Sequence, residues 1–481
     1  MVYTFNEVME GVNLHKYVKQ SLANSGRRGY NPLTLMKIVL FAFMKNVRST
    51  RQIEEACRKN IDFMWLANFA KPSHTTIAHF ITQHQELIEQ LFYEINQCIV
   101  GKHQIDTSTL YIDGTKLEAN ANKYTFVWKK VVLTNQPKLM KKITKLIREV
   151  NALDDFNHFE VQENYTYEEV EVICEHIGDY VYEQGIEFVN GKGTRKHVAQ
   201  RLVEKAAEYC DKLNEYIEKV TLCGENRNSY SKTDVDATFM CMKEDHMRNA
   251  QLKPGYNLQI GVSDEYIMHA AVYQDRNDYK TFIPFLEGYK QHYGVLPKYP
   301  VADAGYGGYD NYCYCENNQL ELYQKYTMYS KEKERAFKKK IYHSRNIQMN
   351  EDGKYVCPEG YEFEYVKTTI DTKGKYPREN ITYECKYCSR CTVKNECTKS
   401  QTNRKLVHSP KLKTYEAKAK ENLDSSLGIA LKTQRSAQVE GAFGVIKQDM
   451  NYQRISRRSL KKVKTEVMLV CIGYNLRKYH K

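Results

Sequence analysis

Two short apolar segments, each followed at once by an aspartate, constrain the fold of this chain more than any other feature. Residues 110–112 read Leu-Tyr-Ile and precede Asp113, and residues 299–302 read Tyr-Pro-Val-Ala and precede Asp303. Short continuous apolar runs are typical of strands buried on both faces. We therefore predict two buried strands that each end in a carboxylate. Taken alone, the Asp-Gly pair at 113–114 is also a common turn signal.

The segments between and after these strands complete an α/β pattern. Residues 256–262 alternate apolar residues with polar residues or glycine, and residues 267–273 are again strand-like, which together predict a β-hairpin. We predict a helix over residues 278–289 and a short strand over residues 320–323. The order strand, hairpin, helix, strand is that of a ribonuclease H-like fold, in which neighbouring strands bring two carboxylates side by side.

A final helical block, predicted over residues 433–480, supplies a third carboxylate. Apolar residues recur there at helical spacing and form one helix face: Val439, Phe443, Ile446 and Met450. Glu440 borders this face, and Lys447 lies two turns further along the same side. In a ribonuclease H-like fold, a late helix contributes an acid to the active site, and Glu440 is the candidate.

Three acids around one point repel one another unless divalent cations neutralise them. Two Mg²⁺ or Mn²⁺ ions about 4 Å apart can activate a water or a 3′-hydroxyl and stabilise the leaving oxygen of a phosphoryl displacement. This chemistry requires hard oxygen ligands, which aspartate and glutamate supply. The pattern therefore predicts a site with two metal ions, held by Asp113, Asp303 and Glu440.

The N-terminal part of the chain has the pattern of a small helical domain. Residues 32–84 carry apolar residues at helical spacing, with polar breaks at 48–50 and 72–76. Helix-turn-helix DNA readers have this size and pattern, although three short helices also build many other small domains. We predict that residues 1–100 form a helical domain that binds DNA ends.

The charge of the chain favours a polyanionic partner. Lys and Arg number 72 against 59 Asp and Glu, which gives a formal net charge of +13 over 481 residues. Nucleic acid is the simplest such partner, although a merely basic soluble protein has the same balance. The sequence shows neither a run of eighteen apolar residues nor a signal peptide, so we expect a cytoplasmic protein without a membrane partner.

The cysteines indicate a local metal site. Five of the 14 lie within residues 357–397, whereas the others are scattered, which is unlike an evenly cross-linked secreted protein. Their spacing fits a tetrahedral Cys₄ zinc site in a ribbon-like module, with five candidates for four places: Cys357, Cys385, Cys388, Cys391 and Cys397. Reduced free thiols are the alternative.

Two insertions are predicted within the catalytic fold. Long basic helices over residues 131–151 and 198–220 flank an acidic middle, and the charge pattern fits either DNA contact or solvated helix faces. The predicted organisation is a helical domain (1–100), the first part of the core with a helical insertion (101–330, insertion about 131–227), a cysteine-rich insertion (331–430) and C-terminal helices that complete the core (431–481).

Three segments resemble the catalytic blocks of bacterial insertion-sequence transposases of the DDE type. They are Asp113-Gly114-Thr115, residues 301–306 (Val-Ala-Asp-Ala-Gly-Tyr) and residues 439–447 (Val-Glu-Gly-Ala-Phe-Gly-Val-Ile-Lys). Residues 32–84, 231–256 and 388–397 are similar to the family typed on insertion sequence eleven-eighty-two. The resemblance implies that Asp113, Asp303 and Glu440 are catalytic, and that the zinc ligands are Cys357, Cys388, Cys391 and Cys397, with Cys385 additional.

One departure concerns the helix signature of the broader transposase group, which has Tyr, then Arg, then Glu, then Lys. Lys447 keeps the expected spacing from Glu440, but Thr433 and Ser436 occupy the Tyr and Arg places, and Arg435 is displaced by one residue. We predict that Lys447 and, with less support, Arg435 contact DNA phosphates. Further polar residues could bind metal or DNA or could order local turns: Thr115, Glu118, Asn120, Asn122, Asp234 and Asp236.

The resemblance implies a nucleoid-associated transposase that binds double-stranded terminal inverted repeats, cleaves the DNA strands and joins them to target DNA. Joining two ends implies a dimer in the synaptic complex. A structure-specific ribonuclease H-like nuclease, which would cut without joining, is the second enzymatic hypothesis. A DNA-binding protein that has lost catalysis is the third, and the presence of all three acids argues against it.

Overall fold

The computed structural model describes residues 1–12, 29–153, 159–190, 195–242 and 251–481. The chain divides into two compact units. The first comprises Met1–Leu117 and Asn257–Lys481, and the second comprises Glu118–Tyr256.

The helices and strands of the described residues are numbered in chain order. The helices are α1 (Val2–Gly11), α2 (Pro32–Met44), α3 (Thr50–Lys59), α4 (Ile61–Leu66), α5 (His74–Gln83), α6 (Gln85–His103), α7 (Lys129–Asn151), α8 (Tyr167–Glu183), α9 (Val198–Cys223), α10 (Phe282–Tyr293), α11 (Tyr309–Asn317), α12 (Arg335–Lys338), α13 (Lys394–Cys397), α14 (Pro410–Asp424), α15 (Ser426–Arg435), α16 (Gly441–Gly444) and α17 (Leu460–His480). The strands are β1 (Thr109–Glu118), β2 (Phe126–Trp128), β3 (Ser229–Ser231), β4 (Thr238–Cys241), β5 (Leu252–Ser263), β6 (Tyr266–Tyr273), β7 (Tyr299–Ala302), β8 (Tyr323–Gln324), β9 (Glu364–Asp371), β10 (Arg378–Cys385) and β11 (Arg404–His408).

The first unit is built around a mixed sheet with the strand order β6-β5-β1-β7-β8. Strands β5 and β6 form the predicted antiparallel hairpin, and its two turn residues, Asp264 and Glu265, both have positive φ, as a tight hairpin turn requires. Strands β1, β7 and β8 run parallel. A mixed sheet with flanking helices is compatible with the predicted ribonuclease H-like core.

Strand β1 differs from the prediction at its end. The strand was expected to stop at Asp113, but it continues through Glu118, so the predicted strand end was wrong. A Cβ on Gly114 would lie 2.1 Å from Nε2 of Gln259 on the neighbouring strand β5. Glycine is needed here because a side chain packs against the backbone, and not because the chain turns.

Three other boundaries also differ from the prediction. The helix expected over residues 278–289 begins as a 3₁₀ turn at Asp278–Lys280 and continues as α10. The short strand expected at 320–323 is β8. The final block consists of α15, π-helical segments at Ser436–Glu440 and Val445–Asp449 on either side of α16, and then the separate helix α17.

The N-terminal helices pack into the same unit as the sheet. Asn31 caps α2 by accepting a hydrogen bond from the Leu33 amide, and Pro32 fits the first helical turn because it needs no backbone donor there. Helix α2 is apolar and packs on α17. The two backbones approach so closely that a Cβ on Gly473 would lie 2.5 Å from the Phe43 carbonyl oxygen.

The second unit contains a three-helix cluster. Helices α7, α8 and α9 bury a shared apolar core that includes Ile147, Ile177 and Leu213. The acidic middle of this region carries α8, which begins with a capping box between Thr166 and Glu169. Strands β2 and β3 pair antiparallel at its base.

The cysteine-rich region has a small sheet of its own within the first unit. Strands β11, β10 and β9 pair antiparallel in that order. A compact apolar cluster lies beside this sheet: Ile347, Phe363, Cys385, Cys388 and Leu406. Across the described ranges of the chain, no helix is both long and apolar enough to span a membrane.

Candidate active site

Asp113 and Asp303 are brought together by the register of two parallel strands. Tyr111 of β1 pairs with Val301 of β7, and each aspartate follows two residues later on its own chain segment. Side chains two residues apart along an extended chain point to the same face. The two carboxylates are close enough that the charge of Asp303 raises the pKa of Asp113.

The electrostatics of Asp113 combine burial with opposing charges. Burial is the largest effect and raises the pKa of its carboxyl group, and Asp303 raises it further. Arg435 opposes both effects, since its Nη1 lies 3.2 Å from Oδ2 of Asp113. The Gly114 amide donates a hydrogen bond of 2.8 Å to Oδ1. The net result is a raised pKa, which means that the site disfavours the ionised form of this carboxyl group.

The turn after Asp303 is held by hydrogen bonds from its own backbone. The Gly305 amide donates to Oδ1 of Asp303 over 2.7 Å, and the Tyr306 amide donates to the Asp303 carbonyl. The Tyr306 side chain is fully buried. Burial raises the pKa of its hydroxyl, and the carboxylates of Asp278, Asp113 and Asp303 raise it further, in that order. Tyr306 therefore lies among three acids.

A buried polar network connects the segments that carry the two aspartates. Gln259 accepts a hydrogen bond from the Tyr306 hydroxyl and packs against Gly114. Its Nε2 donates to Oδ1 of Asp278 over 3.0 Å, and Nδ2 of Asn257 donates to the same oxygen over 2.7 Å. These residues were not predicted. Asn257 and Gln259 are the polar positions of the alternating strand β5, and both are fully buried.

Arg435 lies at the site although the sequence displaces it by one residue from the family position. Its residue surface is only 8% exposed, and among the described residues its Nε and Nη1 have no aligned hydrogen-bond acceptor. Its interaction with Asp113 is thus an ion pair without a well-aimed hydrogen bond. The π-helical segment Ser436–Glu440 follows directly. π-helical hydrogen bonds join residues that are five positions apart, and Arg435 and Glu440 have this spacing. The segment therefore places their side chains closer to the same side of the helix than an α-helix would.

Lys325, a further cation that was not predicted, lies near Asp303, and Lys432 lies near Lys325. Lys325 follows β8, and its pKa is lowered first by burial and then by the charges of Arg435 and Lys432, with Asp303 opposing. Lys432 donates a hydrogen bond of 2.8 Å to the Tyr329 hydroxyl. The carboxylates are therefore flanked by a cluster of positive charges. A lysine directly after a short strand was the only sequence signal for Lys325.

Glu440 is exposed on its π-helical segment, and Nζ of Lys447 lies 5.9 Å from the centre of the Phe443 ring. Within the part of the chain that the structure describes, no three His, Cys, Asp or Glu side chains are grouped closely enough to hold a metal ion. The structure thus brings Asp113, Asp303 and Arg435 together but does not group Glu440 with the two aspartates.

Two family models match the ends of the chain. Residues 356–480 match the model described as "Transposase DDE domain", and residues 1–83 match the model described as "Transposase domain (DUF772)". These matches support an insertion-sequence DDE transposase. The first match includes Glu440 and Lys447, whereas neither includes Asp113 or Asp303. No curated protein and no solved structure matches the chain significantly. A transposase DDE domain implies DNA as the partner and the use of divalent metal.

The five cysteines of residues 357–397 converge on one pocket without forming disulfides. The pocket is lined by Cys357, Cys385, Cys388, Cys391 and Cys397, and all are free thiols. Two sulfur atoms accept backbone hydrogen bonds: the Tyr361 amide donates to Cys357 over 3.3 Å, and the Arg404 amide donates to Cys388 over 3.4 Å. No three of these cysteines are grouped as metal ligands in the described residues.

The auxiliary polar residues take part in local structure of the second unit. Asp234 accepts a hydrogen bond of 2.9 Å from the Tyr256 hydroxyl, and Glu118 pairs with Lys253 at 3.0 Å. Asn122 caps the turn at Tyr124. These contacts fit the interpretation that such residues order turns and strand ends.

Proposed function

We propose that this chain is a DDE transposase that binds the terminal inverted repeats of an insertion sequence and catalyses metal-dependent DNA cleavage and strand transfer. The observation that carries the proposal is that Asp113 and Asp303 each follow two residues after the paired Tyr111 and Val301 of two parallel strands, with the buried Arg435 beside Asp113. The transposase matches at both ends of the chain support it. Asp113, Asp303 and Glu440 are the proposed catalytic acids.

The donor chemistry of this site fits Mg²⁺ or Mn²⁺. Aspartate and glutamate oxygens are the hard ligands that these cations prefer, and the raised pKa of Asp113 reflects a burial and repulsion that a cation would relieve. We propose that Asp113, Asp303 and Glu440 hold two such ions. When bound, the ions supply Lewis-acid activation of the attacking hydroxyl and charge stabilisation at the leaving oxygen.

The cations around the acids are proposed to hold the DNA backbone. Arg435 has two buried nitrogen atoms without an aligned acceptor in the described residues, and a phosphate oxygen would satisfy them. Lys447 is proposed to contact a phosphate further along the same helical block. The N-terminal helices are proposed to bind the inverted repeat, with two chains assembling when two ends are joined.

We also propose a structural zinc ion held by Cys357, Cys388, Cys391 and Cys397. The shared pocket and the backbone amides that donate to two of the sulfurs support it, because such hydrogen bonds stabilise thiolate ligands. Cys385 lines the same pocket and is proposed to be additional. The zinc would stabilise the small sheet β9–β11 without taking part in the reaction.

The proposal is tested by strand cleavage and strand transfer on DNA that carries the inverted repeats flanking the gene. Asp113→Asn, Asp303→Asn and Glu440→Gln should each abolish both reactions while DNA-end binding is retained, and the exposed-turn control Asp352→Asn should behave as wild type. Cleavage that survives all three changes would contradict the assignment. Cutting without joining of pre-nicked ends would favour a nuclease, and retardation of DNA without any cleavage would favour a DNA-binding protein that has lost catalysis.

A further inference from the structure

A fourth carboxylate, Asp278, lies beside the two proposed catalytic aspartates. It opens the 3₁₀ turn that precedes α10 and follows the hairpin of β5 and β6. The point where a Cβ on Gly305 would be lies 3.0 Å from Oδ1 of Asp303 and 3.6 Å from Oδ2 of Asp278. The two carboxyl groups thus face the same small space beside the Asp303 turn.

The two oxygens of Asp278 have different surroundings. Oδ1 accepts hydrogen bonds from the side-chain amides of Asn257 and Gln259, over 2.7 and 3.0 Å. Oδ2 is the oxygen that faces Gly305 and Asp303. Asp278 therefore combines a structural contact with a negative charge directed toward the proposed metal ligand.

The amide network connects Asp278 with residues next to both proposed catalytic aspartates. Gln259, which Asp278 fixes, packs against Gly114 on one side and accepts from Tyr306 on the other. Gly114 follows Asp113, and Tyr306 belongs to the turn after Asp303. A single buried side chain thus contacts both the residue that follows Asp113 and the turn that follows Asp303, and it donates a hydrogen bond to Asp278.

We propose that Asp278 is a positioning residue of the metal centre that orients Gln259 through Oδ1 and, through the charge on Oδ2, increases the affinity of the Asp113 and Asp303 site for a divalent cation. This inference rests on the proposed function. Asp278 is distinct from the three proposed catalytic acids. Placing a fourth negative charge near two others is unfavourable in the empty site and favourable once a cation is bound, which is the behaviour expected of an outer carboxylate.

The isosteric variant Asp278→Asn separates the two roles. Its remaining side-chain oxygen can still accept from Asn257 and Gln259, so the network is retained, while the charge and the acceptor facing Asp303 are lost. Mn²⁺ binding to the full chain without DNA is measured by electron paramagnetic resonance titration. We expect affinity to fall about 10- to 100-fold, with no decrease in melting temperature. Asp275→Asn, which removes the same charge three residues upstream, should bind Mn²⁺ as wild type does.

Two further variants make each outcome decisive. Asn257→Ala removes one donor to Asp278 but keeps the charge, and should weaken Mn²⁺ binding less than Asp278→Asn does. Equal losses in the two variants, or wild-type affinity in Asp278→Asn, would overturn the inference. Should Asp278→Asn fail to fold, Asp278→Ser, which keeps a hydroxyl acceptor, takes its place. If Asp113→Asn itself leaves Mn²⁺ binding intact, the proposed function fails, and not this inference alone.

Discussion

Nη1 of Arg435 lies 3.2 Å from Oδ2 of Asp113, in a site where burial and Asp303 both raise the pKa of that carboxyl group. The guanidinium is the opposing influence that favours the ionised form. Arg435 can therefore act on the reaction in two ways, by keeping Asp113 ionised and by binding DNA phosphate. The two roles differ in their dependence on pH.

Replacing Arg435 with glutamine should move the acid limb of the cleavage rate to higher pH. Without the guanidinium the pKa of Asp113 rises further, so its carboxylate becomes available only at higher pH. We expect a rate about 10²-fold lower at neutral pH, with partial recovery as the pH increases. A uniform loss at every pH would show that Arg435 acts on phosphate alone. Arg435→Lys, which keeps the charge, should retain the wild-type pH profile.

Replacing Asp303 with asparagine should stabilise the metal-free protein at neutral pH. A carboxyl group whose folded pKa is raised binds its proton more tightly in the folded state, so its contribution to stability is lost as pH rises through that pKa. Removing the negative charge of Asp303 lowers the pKa of Asp113, so less stability is lost when Asp113 ionises. We expect a melting temperature about 2 °C higher at pH 7.5, with a smaller gain as the pH approaches 5, measured by calorimetry in chelator. A larger gain at pH 5 would contradict the repulsion argued here.

A methyl group at position 114 should disturb the site by displacing the Gln259 side chain on the neighbouring strand. In Gly114→Ala the new Cβ would meet Gln259 at 2.1 Å, so that side chain must move. We expect a loss of about 1–3 kcal/mol in the free energy of unfolding by urea titration, together with weaker cleavage. Gly101→Ala is the matched control, because nothing lies within 4 Å of its Cβ position. Equal stability of the two variants would show that the Gln259 side chain can move without lowering the free energy of unfolding.

Zinc content should separate the four proposed ligands from Cys385. Serine at Cys357, Cys388, Cys391 or Cys397 should lower zinc below about one ion per chain and reduce thermal stability, because a structural site needs all four ligands. Cys385→Ser should retain zinc. The measurement is metal analysis of anaerobically purified protein. Substoichiometric zinc in the wild type itself would count against the site.

The salt dependence of DNA binding tests Lys447. Lys447→Ala should weaken binding to all sequences by a similar factor and reduce the salt slope of the binding constant by about 1. Lys461→Ala is the control, since that lysine pairs with Glu86 at 3.1 Å and lies outside the proposed site. A change in sequence preference without a change in slope would assign Lys447 a different contact.

The parts of the fold that were predictable are those with strong local patterns. The apolar runs before Asp113 and Asp303 and the alternating hairpin segments reflect burial of successive side chains, and the corresponding strands are present. The two aspartates were expected side by side because each follows an apolar run, and the parallel pairing of β1 with β7 brings them together. The end of β1 was not predictable, because Asp-Gly has the same local signal whether the chain turns or a neighbouring side chain presses on the glycine.

The remaining site residues depend on contacts between distant segments. Asp278 and Gln259 meet only because the hairpin and the following turn fold against Asp303. No sequence periodicity in either segment predicts this contact. The contact of Arg435 with Asp113 was missed for a different reason. The sequence was interpreted with α-helical spacing, under which Arg435 is one residue out of place, whereas the chain has a π-helical segment there.

The contact between the Phe43 carbonyl and Gly473 has a consequence for how the protein is made. Helix α2 is almost wholly apolar, and besides the neighbouring helices α1, α3, α4 and α5 it packs on α17, more than four hundred residues later in the chain. During translation the side of this helix that packs on α17 stays uncovered until α17 has been made, and chaperones would bind this apolar surface. The face of the proposed end-binding helices that packs on α17 would therefore be covered only after the segment carrying Glu440 has also been synthesised.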